Sequence, residues 1–79
     1  MKYVYILESS TEPVRHYVGL TDDLRERLKA HNAGQVYHTS KFRPWQISTY
    51  IAFSDHNRAV LFEKYLKTQS GRAFSKKRL

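Results

Sequence analysis

Cysteine is absent from the 79 residues, so the chain has no disulfide, no thiolate metal site and no thiol chemistry. That absence suits the cytoplasm, which is the expected compartment. Glycine occurs only three times, at 19, 34 and 71, and no phosphate-cradling glycine loop can be written with that spacing. The strained serine turn of the α/β-hydrolases is missing as well. The four histidines, at 16, 31, 38 and 56, lack the spacing of zinc ligands. No apolar run approaches the ~20 residues of a membrane-spanning helix, so no membrane partner is expected. The opening MKYVYILESS lacks the long hydrophobic region of a signal peptide. Acid is scarce too: seven Asp and Glu face fourteen Lys and Arg, and none follows Glu63.

The net charge of +7 attracts polyanions, nucleic acid before anionic lipid, although a solvated surface has the same composition. At 41% hydrophobic and 27% charged residues the chain is globular in composition, and residues 1–79 are expected to form one domain. A chain this short buries only roughly 60% of the surface it exposes when unfolded, so its core is small. Six Tyr, four Phe and one Trp must help to fill it.

Tyr3–Leu7 (YVYIL) reads as a strand, Glu8–Arg15 as a polar loop, and His16–Leu20 (HYVGL) as a second strand in an antiparallel hairpin. Gly19 near the strand end suggests a bend or a close backbone approach. Thr21 is the expected cap of a helix over Asp22–Ala33, which Gly34 ends. A polar loop runs from Gln35 to Pro44, and Trp45–Phe53 alternates as a third strand. Ser54 or Asp55 is placed to cap a helix over Arg58–Thr68, with Ala59, Phe62 and Leu66 on its inner stripe. Ser70-Gly71 is expected to break it before a short basic helix, Arg72–Arg78. This order predicts an α+β fold, a three-stranded antiparallel sheet flanked by helices.

Glu63 sits beside the apolar stripe of its helix, where a carboxylate needs a salt bridge or a bound cation. Arg27 and His31 are i, i+4 neighbours at the margin of the Leu24–Leu28 face. Such an Arg can grip phosphate or pair with Asp23, and such a His can move a proton or complement the helix dipole. Tyr5 and Tyr17 can pack in the core or turn their hydroxyls into one cleft. Trp45 can stack on a base or fill the core.

YVY at 3–5, YVG at 17–19, Arg27, His31 and one later Glu occur in an order that resembles the GIY-YIG nuclease domain. The likeness covers essentially the whole chain. HN at 31–32, SKFRPW at 40–45 and GRAFSKKRL at 71–79 are similar to the small stand-alone bacterial members. The resemblance implies hydrolysis of nucleic-acid phosphodiesters, DNA before RNA, with one Mg²⁺ or Mn²⁺. By position, Glu63 matches the metal ligand and Arg27 the residue that binds the scissile phosphate. Tyr17 matches the general base or water-orienting group, Tyr5 its hydrogen-bonded neighbour, and His31 an assistant to proton transfer or phosphate contact. Tyr3 replaces the usual Gly of the first motif, and no Asn follows Glu63; Gln69 or Lys76 could stand in. With no DNA-reading domain in the sequence, affinity should come from phosphate contacts by Lys41, Arg43, Arg72, Lys76 and Lys77. The expected molecule is a monomer of low sequence specificity with room for a targeting protein. The alternatives are a non-catalytic nucleic-acid-binding module of this fold and a protein whose basic face meets an acidic partner.

Overall fold

The computed structural model describes residues 1–79. Strand β1 (Lys2–Ser9) lies between β2 (His16–Thr21) and β3 (Trp45–Phe53), and both pairings are antiparallel. The uninterrupted apolar run of β1 fits that central place, because both of its faces are covered. Val4 and Ile6 join Ala59 and Leu66 on one face, and Tyr5 and Leu7 join Trp45 on the other. The first face is closed by α2 (His56–Leu66) and the second by α1 (Leu24–Asn32). The α+β fold expected from the element order is the one observed.

β3 carries a bulge. Ile6 pairs with Thr49 and Leu7 with Ile47, which leaves Ser48 unmatched, and its hydroxyl donates to the Ile6 carbonyl at 3.2 Å. Burial alternates without a break from Trp45 to Phe53, yet the bulge sends the first inward residues toward α1 and the last toward α2.

Helix starts differ slightly from expectation. Thr21 is still paired with Tyr3, so α1 cannot begin there; Asp23 caps it by accepting from the Glu26 amide at 3.0 Å. The stop at Gly34 is as expected: its φ of +79° lets Gly34 N–H reach the His31 carbonyl and Gln35 N–H the Ala30 carbonyl. Asp55 caps α2 through the Arg58 amide at 3.1 Å.

Gly71 does not break a helix; it lies inside α3 (Gln69–Arg78). The corner is Lys67–Thr68, where the Thr68 hydroxyl donates to the Tyr65 carbonyl at 2.6 Å and accepts from the Gly71 amide at 3.0 Å. A Cβ at 71 would collide with the Tyr65 carbonyl, so glycine is what lets α3 fold back against the end of α2. Phe62, Tyr65 and Phe74 then meet across the two helices. Gly71→Ala should therefore lower stability by on the order of 2–3 kcal/mol in urea unfolding. The neighbouring exposed Ser70→Ala should stay within about 0.5 kcal/mol of wild type.

Candidate active site

The α1 face of the sheet holds a chain of hydrogen bonds. Tyr5 pairs in register with Gly19, and a Cβ at 19 would strike the Tyr5 ring and hydroxyl. Glycine there lets the Tyr5 ring lie across β2 and deliver its hydroxyl beneath α1. That hydroxyl is 2.9 Å from His31 Nε2, and Arg27 Nε donates to it at 3.3 Å. His31 Nδ1 lies 2.8 Å from the Thr39 hydroxyl, which donates to the Val36 carbonyl at 3.3 Å.

The two ends of this chain fix its polarity. Arg27 can only donate, and the Thr39 proton goes to Val36. Tyr5 therefore donates to Nε2, and the His31 proton sits on Nδ1 and goes to Thr39. Thr39 is held in turn by Trp45, whose indole N–H donates to the Thr39 carbonyl at 2.9 Å. Asn32 clasps the Trp45 backbone from both sides, donating to its carbonyl at 3.0 Å and accepting from its amide at 2.7 Å. Trp45 is thus a core residue, 5% exposed, and not a base-stacking platform.

Burial decides the protonation states. It pushes the Tyr5 hydroxyl above its usual range; Arg27 opposes this, while Tyr17 and Glu63 add to it. Tyr5 therefore keeps its proton and acts as a relay. His31 is wholly buried, and burial, then the Arg27 charge, lowers its pKa to about 4. A neutral imidazole with both nitrogens engaged contacts no phosphate. It orients Tyr5, and through Tyr5 it orients Arg27. The half-buried Arg27 uses Nε on Tyr5, while its expected partner Asp23 spends its carboxylate on the α1 cap.

Tyr17 stacks edge-on against His31, ring centroids 5.1 Å apart, and also lines a groove on the α3 side of the sheet with Arg72 and Lys76. Glu63 belongs to α2, which packs on the other face from α1, yet its charge is felt at the Tyr5 hydroxyl. Its carboxylate is 14% exposed and pairs with Lys67 Nζ at 2.6 Å. Of the five residues singled out from the sequence, Arg27 and His31 bond directly to Tyr5, Tyr17 stacks on His31, and Glu63 acts on Tyr5 through its field.

The basic residues do not form one surface. Arg72 and Lys76 line the groove and Lys77 is exposed on the same helix. Lys41 and Arg43 belong to the segment around Ser40–Phe42, whose Phe42 packs on the α1 face. Arg43 folds back so that its Nε donates to the Ser40 carbonyl at 2.8 Å. Thr39 carried no signal in the sequence, because a loop brings it to His31. Lys67 was legible as i+4 from Glu63.

No three His, Cys, Asp or Glu side chains converge on a point that could hold an ion. Glu63 is the one carboxylate whose charge is felt at the Tyr5 hydroxyl, and a single carboxylate fits a hard cation completed by water and substrate phosphate. Lys67 must leave the carboxylate first.

The model of the GIY-YIG catalytic domain matches residues 1–78. The chain belongs to the GIY-YIG family. A UPF0213 protein of Streptococcus pyogenes is 32% identical over 72 residues, covering 90% of this chain and 76% of the relative. The structure-specific endonuclease subunit SLX1 of Debaryomyces hansenii is 37% identical over 71 residues, covering 81% of this chain and 20% of the relative. Its homolog in Giardia intestinalis is 35% identical over 65 residues, 77% of this chain and 18% of that protein. The chain thus spans about a fifth of the SLX1 relatives' length. No solved structure matches it. At this level the chain is a GIY-YIG catalytic domain.

The buried imidazole makes stability depend on pH. The unfolded chain protonates His31 near 6.5 and the folded chain near 4, so the unfolded state binds more protons between these values. The contribution is complete above about pH 6.5 and is lost as the pH falls toward 4, on the order of 3 kcal/mol. Urea midpoints at pH 7 and 5 should drop further for wild type than for His31→Gln; equal drops would refute the assignment.

Proposed function

We propose that this chain is a divalent-metal-dependent endonuclease that hydrolyses DNA phosphodiesters with low sequence specificity. What supports the reading above all is the meeting, at the Tyr5 hydroxyl, of the Arg27 hydrogen bond with the fields of Tyr17 and Glu63. A purely structural helix has little use for a nearly buried carboxylate whose field reaches a buried tyrosine that an arginine holds.

In this reading Arg27 binds the scissile phosphate and offsets the charge that builds up on the pentavalent phosphorane. Tyr5 holds Nε, so the guanidinium is aimed before substrate arrives, and His31 and Thr39 hold Tyr5. Tyr17, beside that cluster and open to the groove, orients the attacking water and takes up its proton. Glu63 would hold one Mg²⁺ or Mn²⁺, which supplies Lewis-acid stabilisation of phosphate and leaving-group charge when bound. Arg72, Lys76 and Lys77, with Lys41 on the other face, contact phosphates, so binding weakens steeply with salt. The SLX1 relatives are named as subunits, which supports a partner that chooses the DNA structure to be cut.

Single-stranded, nicked and branched DNA should be cut with Mg²⁺ or Mn²⁺, faster than the matching RNA. Glu63→Gln and Arg27→Ala should each lose about 100-fold or more in rate while still binding DNA at low salt. A wild-type protein that binds but cuts nothing with any divalent cation is the non-catalytic module instead.

A further inference from the structure

A groove of about 930 Å³ lies between the sheet and α3, on the face away from α1. Lys67, Arg72, Lys76 and His16 line it, and Glu8 is the one carboxylate side chain among its walls. Such an excess of cations in a concave surface concentrates anions. Tyr17 forms part of the wall and also touches His31, so the groove shares a wall residue with the site around Tyr5.

Lys67 stands where groove and site meet. It lines the groove, and its ammonium is 2.6 Å from a Glu63 carboxylate oxygen. Lys67 is half exposed, whereas Glu63 is 14% exposed, so the lysine is the partner free to move. Resting on the proposed nuclease reading, we infer that the groove carries the phosphate backbone of the nucleic acid, and that Lys67 exchanges the Glu63 carboxylate for a substrate phosphate when the divalent cation binds.

The reasons are electrostatic. An ammonium and a dication cannot share one carboxylate without strong repulsion, which scales with the product of their charges. The flexible lysine stem lets the charge swing away, and a phosphate in the groove gives it a new partner. Without nucleic acid, Lys67 keeps the Glu63 carboxylate as its partner and holds metal affinity down. With nucleic acid in the groove, the carboxylate is released. Metal and nucleic acid then strengthen each other's binding by the same factor, as linkage requires. The domain carries its metal only where there is something to cut.

The test uses the full chain, with Mn²⁺ binding followed by electron paramagnetic resonance and a short single-stranded oligonucleotide followed by fluorescence anisotropy. Lys67→Gln should bind Mn²⁺ at least threefold more tightly than wild type in the absence of oligonucleotide. It should also bind the oligonucleotide more weakly, with a salt slope smaller by about one. Arg72→Gln and Lys76→Gln should weaken oligonucleotide binding and leave Mn²⁺ binding by the free protein unchanged, and Glu8→Gln should tighten oligonucleotide binding. Unchanged oligonucleotide affinity in Arg72→Gln and Lys76→Gln overturns the groove. If Glu63→Gln abolishes Mn²⁺ binding but Lys67→Gln matches wild type, the exchange is wrong and the nuclease reading stands. If Glu63→Gln binds Mn²⁺ as wild type does, with and without oligonucleotide, the metal role of Glu63 fails and the exchange fails with it. Urea midpoints of all variants show that each is folded.

Discussion

The hydroxyl of Tyr5 is the point on which the site depends. A buried phenol must find partners, and here it has one donor, Arg27, and one acceptor, His31. That single oxygen ties the central strand to both ends of one helix face. It also constrains residues far from it in sequence. Residue 19 must have no side chain, or the ring cannot cross β2. His31 must stay neutral, because a charged imidazole would have no acceptor for the Tyr5 proton. Thr39 must be brought in from a loop to receive the proton on Nδ1.

Low dielectric makes such a chain stiff and costly to leave incomplete. No buried side-chain polar atom lacks a partner anywhere in the molecule. The cost of ordering an arginine at the site is therefore met during folding, within a small core that also has to hold the sheet together. Trp45 and Asn32 extend this economy: one indole and one amide lock the loop that presents Thr39. The orientation of Arg27 and fold stability rest on the same bonds, which a chain of this size has little means to separate.

The two faces of the sheet contribute differently. The α1 face is fixed by its chain of side-chain hydrogen bonds. The α2–α3 face is open along the groove, and its charges are carried on long side chains. Tyr17, on β2, connects the two, touching His31 and lining the groove. A rigid guanidinium on one side and a movable lysine on the other suit a substrate that must be held firmly at one phosphate and loosely along its length.

Strands, helices and their order could be read from the chain alone, because periodicity and caps are local: YVYIL, the Gly34 stop and the Asp55 cap each act within a few residues. The i, i+4 spacing of Arg27 with His31, and the place of Glu63 beside its apolar stripe, were equally local. The role of Gly71 was not, since the carbonyl it must avoid belongs to the preceding helix. Nor was the bulge at Ser48, which leaves the alternation of β3 intact while exchanging its faces. The sequence by itself thus determined which elements form and which side chains carry charge. Only the tertiary structure decided that His31 is a buried neutral relay, that Trp45 braces a loop, and that the Glu63 charge reaches Tyr5. Those outcomes turn on desolvation and on contacts across many residues, and both exist only once the faces of the sheet are covered.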